Sequence, residues 1–316
     1  MVNVLAVDGG NSKTDVVLLN ELGEILARGR GGPFAPQSEG VGPATDVIEN
    51  VVRQAIGFTG RADHLVTFLA GVDLPEEERA IEAEISGRAL ARDVVVRNDT
   101  FALLRSGASG PWGVAVVCGA GINAVGVAPS GRVARFLSLG AISGDWGGGL
   151  GLSSETLWHA ARAEDGRGAP TRLAELVRSH FGADTVERVV IDLHLGVLER
   201  ERLLELTPGL FRVAADGDEI ARGLVSRLAD EIATMAQVCL TRLDLLGTPT
   251  EVVLGGGVLR ARDPLLTALL DERFAARMPL AERVVAELPP IVGAALSALD
   301  HIGAGEDAKA RLLGRF

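Results

Sequence analysis

An apolar run near the amino terminus, VLAVDGGNSKTDVVLL (residues 4–19), is interrupted by an aspartate, two glycines, two hydroxyl side chains and a lysine. Gly9 and Gly10 carry no Cβ, so successive backbone N–H groups there can converge on an anion. Asn11, Ser12, Lys13 and Thr14 add further donors and one positive charge, which together suit a phosphate. Asp8 is badly placed for an anion but well placed for Mg²⁺ beside a polyphosphate. The competing reading is a glycine-rich hairpin with a solvated lysine. Two more glycine turns at strand ends weigh against it: Gly119-Ala120-Gly121-Ile122-Asn123 and Gly255-Gly256-Gly257.

Phosphoryl transfer needs positioning, charge neutralisation and a base aimed at the acceptor hydroxyl. A carboxylate at the carboxyl end of a strand is the natural source of that base. Asp99, which closes the β-branched run DVVVRND, is the candidate. Its alternative role is to cap the helix that TFALL would begin, although Asn98 can serve as that cap instead. Asp145, with glycines on both sides in SGDWGGG, is a second carboxylate of interest, against the alternative of a turn-stabilising aspartate. His194 reads as a core residue, Trp146 likewise, and Glu76-Glu77-Glu78 as a solvated helix start.

These groups must be positioned by an α/β scaffold. Strands are expected at Val2–Val7, Thr14–Asn20 and Glu24–Gly29, then a helix over 44–59, a buried strand at 65–72, a helix over 75–91 and a strand at 93–99. The strand–glycine turn–strand pattern returns at WGVAVVCGAGINAVGV, which suggests a diverged second copy. Two lobes are expected, 1–110 and 111–288, the second with a helical insertion. A last helix within 289–316 would complete the first lobe. Residues 152–246 read as mostly helical, and VVLGGGVLRARDPLLTALL as strand, glycines, helix.

Composition narrows the partners. A formal charge of −11 with no basic stripe argues against nucleic acid. Two distant cysteines without a C-x-x-C pairing exclude a disulfide framework and a zinc site of that kind, and suit a reducing cytosol. No signal peptide and no membrane helix is expected, so a cytoplasmic protein without a membrane partner is the default.

The ordered set of turns resembles the acetate and sugar kinase, Hsp70 and actin superfamily. DGGNSKT is similar to its first phosphate loop, CGAGIN to its second and VVLGGGVL to its adenosine loop. Within it, VDGGNSKT, GGPFAPQS, RND, GAGIN, SGDWGGG, RAEDGRG and LPPIVGAALSAL resemble the branch of N-acetylglucosamine kinases and BadF/BadG/BcrA/BcrD-type ATPases. The resemblance implies a duplicated two-lobed actin-like (ribonuclease H-like) α/β fold with a nucleotide cleft, ATP and Mg²⁺ as cofactors, and an amino-sugar acceptor. It makes Asp99 the general base and Asp8 the metal residue. It assigns ATP to Gly9–Thr14, Gly119–Gly121 and Gly255–Gly257, and the sugar to Asn98, Asn123, Asp145 and Gly71. Relatives are often homodimers. The chain departs from the family pattern at Ala35, where a sugar-binding asparagine is common, and at Ile122, where the second loop commonly ends in a hydroxyl. The rival implication is an ATPase activator or nucleotide switch without a sugar substrate.

Overall fold

Alternating β-branched and aliphatic residues form an antiparallel meander of β1 (Asn3–Gly9), β2 (Thr14–Asn20) and β3 (Ile25–Gly31). The structure is a computed structural model that describes residues 2–316. β4 (Ala62–Leu69) joins β1 in parallel, and β5 (Ala91–Asn98) joins β4 in parallel. The sheet order is β3-β2-β1-β4-β5.

The same plan then repeats. β6 (Gly113–Cys118), β7 (Ile122–Val127) and β8 (Val133–Arg135) form a meander, followed by β9 (Thr250–Gly255) parallel to β6 and β10 (Ala281–Val285) parallel to β9. The second order, β10-β9-β6-β7-β8, is the first read in reverse. The expected duplication is therefore present in the topology, and the fold is two-lobed α/β of the actin-like type.

Helices fill the connections. Between β3 and β4, α1 (Val41–Asn50) passes into a five-residue π-turn at Val51–Ala55, where one uninterrupted helix was expected. α2 (Pro75–Gly87) ends short of the expected residue 91, because the chain reverses through Ala89 at φ 54° and Ala91 already belongs to β5. The insertion between β8 and β9 contains α4 (Gly148–Glu164), α5 (Leu173–Phe181), α6 (Val186–His194), α7 (Thr207–Ala215) and the 24-residue α8 (Glu219–Arg242). His194 ends α6 in an exposed position rather than in the core. After β9, the helix expected as one piece breaks. A single turn, Gly257–Arg260, precedes α9 (Pro264–Arg277), whose start is capped by Asp263 Oδ1 accepting from Leu266 N at 3.0 Å.

Two short helices join the sheets. α3 (Asp99–Gly107) leaves β5, and α10 (Pro290–His301) returns to the first sheet; α11 (Glu306–Leu313) follows. α10 buries Val292, Ala295 and Leu299 with Val4 and Ala6 of β1. α3 packs Leu103 and Leu104 with Ala115, Val125 and Val253 of the second sheet. The helices cross backbone to backbone: a Cβ on Gly293 would lie 1.9 Å from the Ala102 carbonyl oxygen. Arg105 Nε also pairs with Asp300 Oδ2 at 2.6 Å, both largely buried.

Substituting Gly293 by Ala overpacks this crossing and is expected to cost about 1–3 kcal/mol in urea unfolding. Gly223, exposed within α8 with open space around its Cα, gives the contrasting result: Gly223→Ala should stabilise by about 0.5–1 kcal/mol.

Candidate active site

Register brings the sequence-distant carboxylates to one edge. Gly9 of β1 pairs with Leu69 of β4, and Leu69 with Asn98 of β5, so the three strands end in one row. Asp8 precedes that row and Asp99 follows it. Asn98, only 2% exposed, caps α3: its Oδ1 accepts from Thr100 N at 3.0 Å and from Thr100 Oγ1 at 2.5 Å. The capping role open to either residue therefore falls to Asn98, and the Asp99 carboxylate is left for other work.

Burial raises Asp99 from 3.8 to about 6, against a lowering pull from the N–H groups of Thr100 and Asp99 itself. Asp8 is raised to about 7, by burial first and then by the charges of Asp99 and Asp15; Lys13 and Arg260 offset part of this. A third carboxylate, Asp73, is raised to about 7 by burial, Asp99 and Glu77. The charge of Asp99 thus acts on both Asp8 and Asp73.

Asp73 was not singled out from the sequence. It stands four residues beyond β4, at the same sheet edge that marked Asp99, but the acidic run after it masked the signal. It links the lobes. Asp73 Oδ1 accepts from Asn98 Nδ2 at 2.9 Å and from Asn123 Nδ2 of β7 at 3.1 Å, and Asn123 Nδ2 lies 3.4 Å from Asn98 Oδ1. The acidic start of α2 is not merely solvated. Glu77 Oε2 accepts from the backbone N–H groups of Asp73 and Leu74, and Glu78 pairs with Arg135 of β8 at 2.8 Å. Arg135 Nη2 also donates to the Asp73 carbonyl at 2.9 Å.

The first glycine turn is closed by Gly10 N donating to Lys13 O at 2.9 Å, with Asn11 and Ser12 exposed at its tip. Gly9 has no room for a side chain, since a Cβ would sit 2.6 Å from Leu69 Cδ2. Lys13 pairs with Asp15 at 2.7 Å, and Arg30 holds the other Asp15 oxygen at 2.6 Å. Thr14 pairs with Gly9 and is fully buried on the Val7–Val16 side of the sheet, so its hydroxyl is directed away from Asp8.

The second and third turns nest together. A Cβ on Gly256 would meet Cys118 O at 2.3 Å, and one on Gly148 would meet Ala120 O at 2.5 Å; both glycines have positive φ. Gly149 N donates to Gly119 O at 2.7 Å and Leu150 N to Ala120 O at 2.9 Å, so the start of α4 holds the second turn. Gly255 lies against Leu103 of α3. Gly119, Ala120 and Gly257 then form one wall of a cleft of about 550 Å³, whose other wall is Leu204, Pro208 and Phe211. Nothing in the sequence singled out that second wall; it belongs to the helical insertion.

Asp145 is held within its own loop, whereas Gly71 is tied to the separate turn 36–39. The Asp145 carboxylate accepts from Ser143 Oγ at 2.5 Å and from Gly140 N at 3.1 Å. It lines a separate recess of about 720 Å³ with Gly121, Ile122 and Trp146. Trp146 is half-buried under Arg227, its Nε1 donating to Glu155. Gly71, at φ 68°, has its carbonyl held by Gln37 Nε2. Ala35 and Ile122 have local explanations. Ala35 O accepts from Ser38 N and Glu39 N to start the turn 36–39, and buried Ile122 packs in the second-sheet core beside Gly147.

Because Asp8 binds its proton more tightly folded than unfolded, its contribution to stability is fully present below pH 3.8 and is lost as pH rises through about 7. Asp8→Asn should accordingly stabilise the ligand-free protein at pH 8 by on the order of 1 kcal/mol, and by less at pH 5, in urea titrations at the two pH values.

The chain is 24% identical over 317 residues to the N-acetyl-D-glucosamine kinase of Dictyostelium discoideum, covering 94% of this chain and 97% of that one. Its fold is similar to that of a proposed N-acetylglucosamine kinase of Chromobacterium violaceum, with a TM-score of 0.71, 22% identity, and coverage of 94% and 98%. A ROK family glucokinase from Streptomyces griseus, solved with glucose and AMPPNP, has the same fold at a TM-score of 0.56 and 17% identity, covering 94% of this chain and 99% of that one. The BadF/BadG/BcrA/BcrD ATPase family model matches residues 5–298, and the chain belongs to that family.

Proposed function

We propose that this protein transfers the γ-phosphate of ATP to the 6-hydroxyl of N-acetylglucosamine, with glucosamine as the second choice of acceptor. The observation that carries this reading is Asp99: a partly buried carboxylate at a sheet edge, relieved of capping by Asn98 and raised to about 6. It is ionised at neutral pH yet basic enough to take a hydroxyl proton. The named activity of the Dictyostelium relative supplies the sugar.

In this reading adenosine lies in the 550 Å³ cleft, between the Gly119–Gly121 and Gly255–Gly257 turns and Phe211. The phosphates reach the exposed tip of the Gly9–Ser12 turn, where the backbone N–H groups of Asn11 and Ser12 and the Ser12 hydroxyl receive them, with Lys13 and Thr14 shaping the turn. Asp8 fits a hard divalent cation: its oxygen donors are the right type, and the charges of Asp99 and Asp15 beside it outweigh those of Lys13 and Arg260. Mg²⁺ held there would neutralise charge on the transferring phosphoryl group.

Asp99 accepts the acceptor's proton as its oxygen attacks. Asn98, Asn123 and Asp73 orient the sugar hydroxyls, and because Asn123 of the second sheet already donates to Asp73 of the first lobe, a sugar held there is gripped by both lobes, which keep water out. Asp145 and Gly71 set the shape of their loops. A homodimer and a cytosolic setting belong to the same reading. Leu195 and Val197, 66% and 71% exposed, are apolar residues of the helical insertion that a second copy would cover. The thiols of Cys118 and Cys239 are buried, free and pushed up to about 12, which suits neither an iron–sulfur cluster nor the activator role. Among the described residues no helix is long and apolar enough to cross a membrane.

ADP release with MgATP should rise above the sugar-free blank with N-acetylglucosamine or glucosamine, and less with glucose or N-acetylmannosamine. Equal release with and without every sugar would assign an ATPase or switch instead. Asp99→Asn should lower kcat about 10²–10⁴-fold with little change in KM for ATP, and wild-type kcat/KM for sugar should fall as pH drops through about 6 and the base is protonated. Phe211→Ala should raise KM for ATP about tenfold and leave KM for sugar near wild type, through lost apolar contact.

A further inference from the structure

The opposite end of the first sheet carries a second convergence of side chains that the reaction does not use. His64 is the third residue of β4 and Asp93 the third of β5, and the two are register partners, so their side chains stand on the same face. His301, the last residue of α10, reaches them from the helix packed on that face. His64 Nδ1 lies 3.0 Å and His301 Nε2 2.8 Å from one oxygen, Asp93 Oδ2. The imidazole rings meet edge to face, with centroids 5.2 Å apart. The three donor atoms all lie within 4.8 Å of one another.

We infer that His64, Asp93 and His301 form a binding site for an imidazole-preferring divalent cation of the zinc class. Two nitrogens and one carboxylate oxygen are a donor set that suits Zn²⁺ and is poor for Mg²⁺, which prefers all-oxygen coordination. A small spreading of the three groups around an ion replaces two N–H···O contacts with metal–ligand bonds. Each neutral imidazole keeps one proton, on the ring nitrogen away from the ion.

Side-chain exposures of 30%, 50% and 34% for His64, Asp93 and His301 give an ion direct entry from solvent. Asp300, next in sequence, is already paired with Arg105 and Lys309, so the fourth position falls to water. The chain from Asp93 to Asp99, six residues further on, is extended almost throughout, which puts the site about 20 Å from the proposed base. It is therefore separate from the Asp8 position. An ion here ties the end of α10 to β4 and β5 and so braces the α3–α10 crossing.

The test uses the full chain, stripped with chelator and titrated with Zn²⁺ by calorimetry and by thermal unfolding. The expected result is one saturable site per chain and a rise in Tm with Zn²⁺ that Mg²⁺ at the same concentration does not produce. His64→Gln and His301→Gln, which keep an N–H donor for Asp93, should each weaken Zn²⁺ binding at least tenfold. Their metal-free Tm should stay close to wild type, and their sugar-dependent ADP release should be unchanged. Co²⁺ bound to the wild type should show visible bands of low-coordinate cobalt that are lost in both variants. Zn²⁺ affinity equal to wild type in both folded variants, or no saturable Zn²⁺ site in the wild type, overturns the inference.

Discussion

The close crossing of α3 and α10 at Ala102 and Gly293 sets the geometry on which the site depends. Only a residue without a Cβ lets the two backbones approach this far, because the Ala102 carbonyl already occupies the space. α3 begins at Asp99, so whatever fixes α3 fixes the carboxylate. One side of α3 meets α10 and, through it, β1 with Asp8; the other packs on Val253 and Gly255 of the second sheet. The acids and the glycine turns are thereby indexed to one short helix.

Electrostatics at the sheet edge is the counterpart of that packing. Asp8, Asp73 and Asp99 are each raised above the normal carboxylate range by burial, and Asp8 and Asp73 also by the charge of Asp99. Such crowding lowers the stability of the empty protein and is relieved by cations and by hydrogen-bonding hydroxyls, which are the chemical groups that the proposed reactants bring. Elsewhere the chain neutralises its carboxylates locally. Asp15 is shared by Lys13 and Arg30, and Asp300 by Arg105 and Lys309. The contrast separates acids that serve folding from acids left available to a ligand.

The cleft beside the second and third glycine turns depends on steric fit rather than charge. Gly148 and Gly256 take conformations that ordinary side chains resist, and in doing so press two backbone segments against the 118–121 turn. The insertion helices supply an apolar wall opposite, which suits a flat base more than it suits phosphate.

Much of this was legible in the amino-acid sequence. Strand–glycine–strand patterns, the repeat of the meander, and a carboxylate closing the run DVVVRND are local signals, carried by neighbouring residues and the period of the strand. The sequence therefore determined the duplicated α/β plan, the three glycine turns and Asp99. Only the tertiary structure decided what depends on contacts between distant segments. Asp73 joins the candidate site because Asn98 and Asn123, 25 and 50 residues away, donate to it. Lys13 is paired with Asp15, the Thr14 hydroxyl lies on the core side of β2, and Asn98 rather than Asp99 caps α3. The far wall of the cleft and the His64–Asp93–His301 cluster likewise arise where chain packing and strand register bring separate elements together. Local pattern specifies which elements form; the partner of each polar group is chosen by packing across the whole chain.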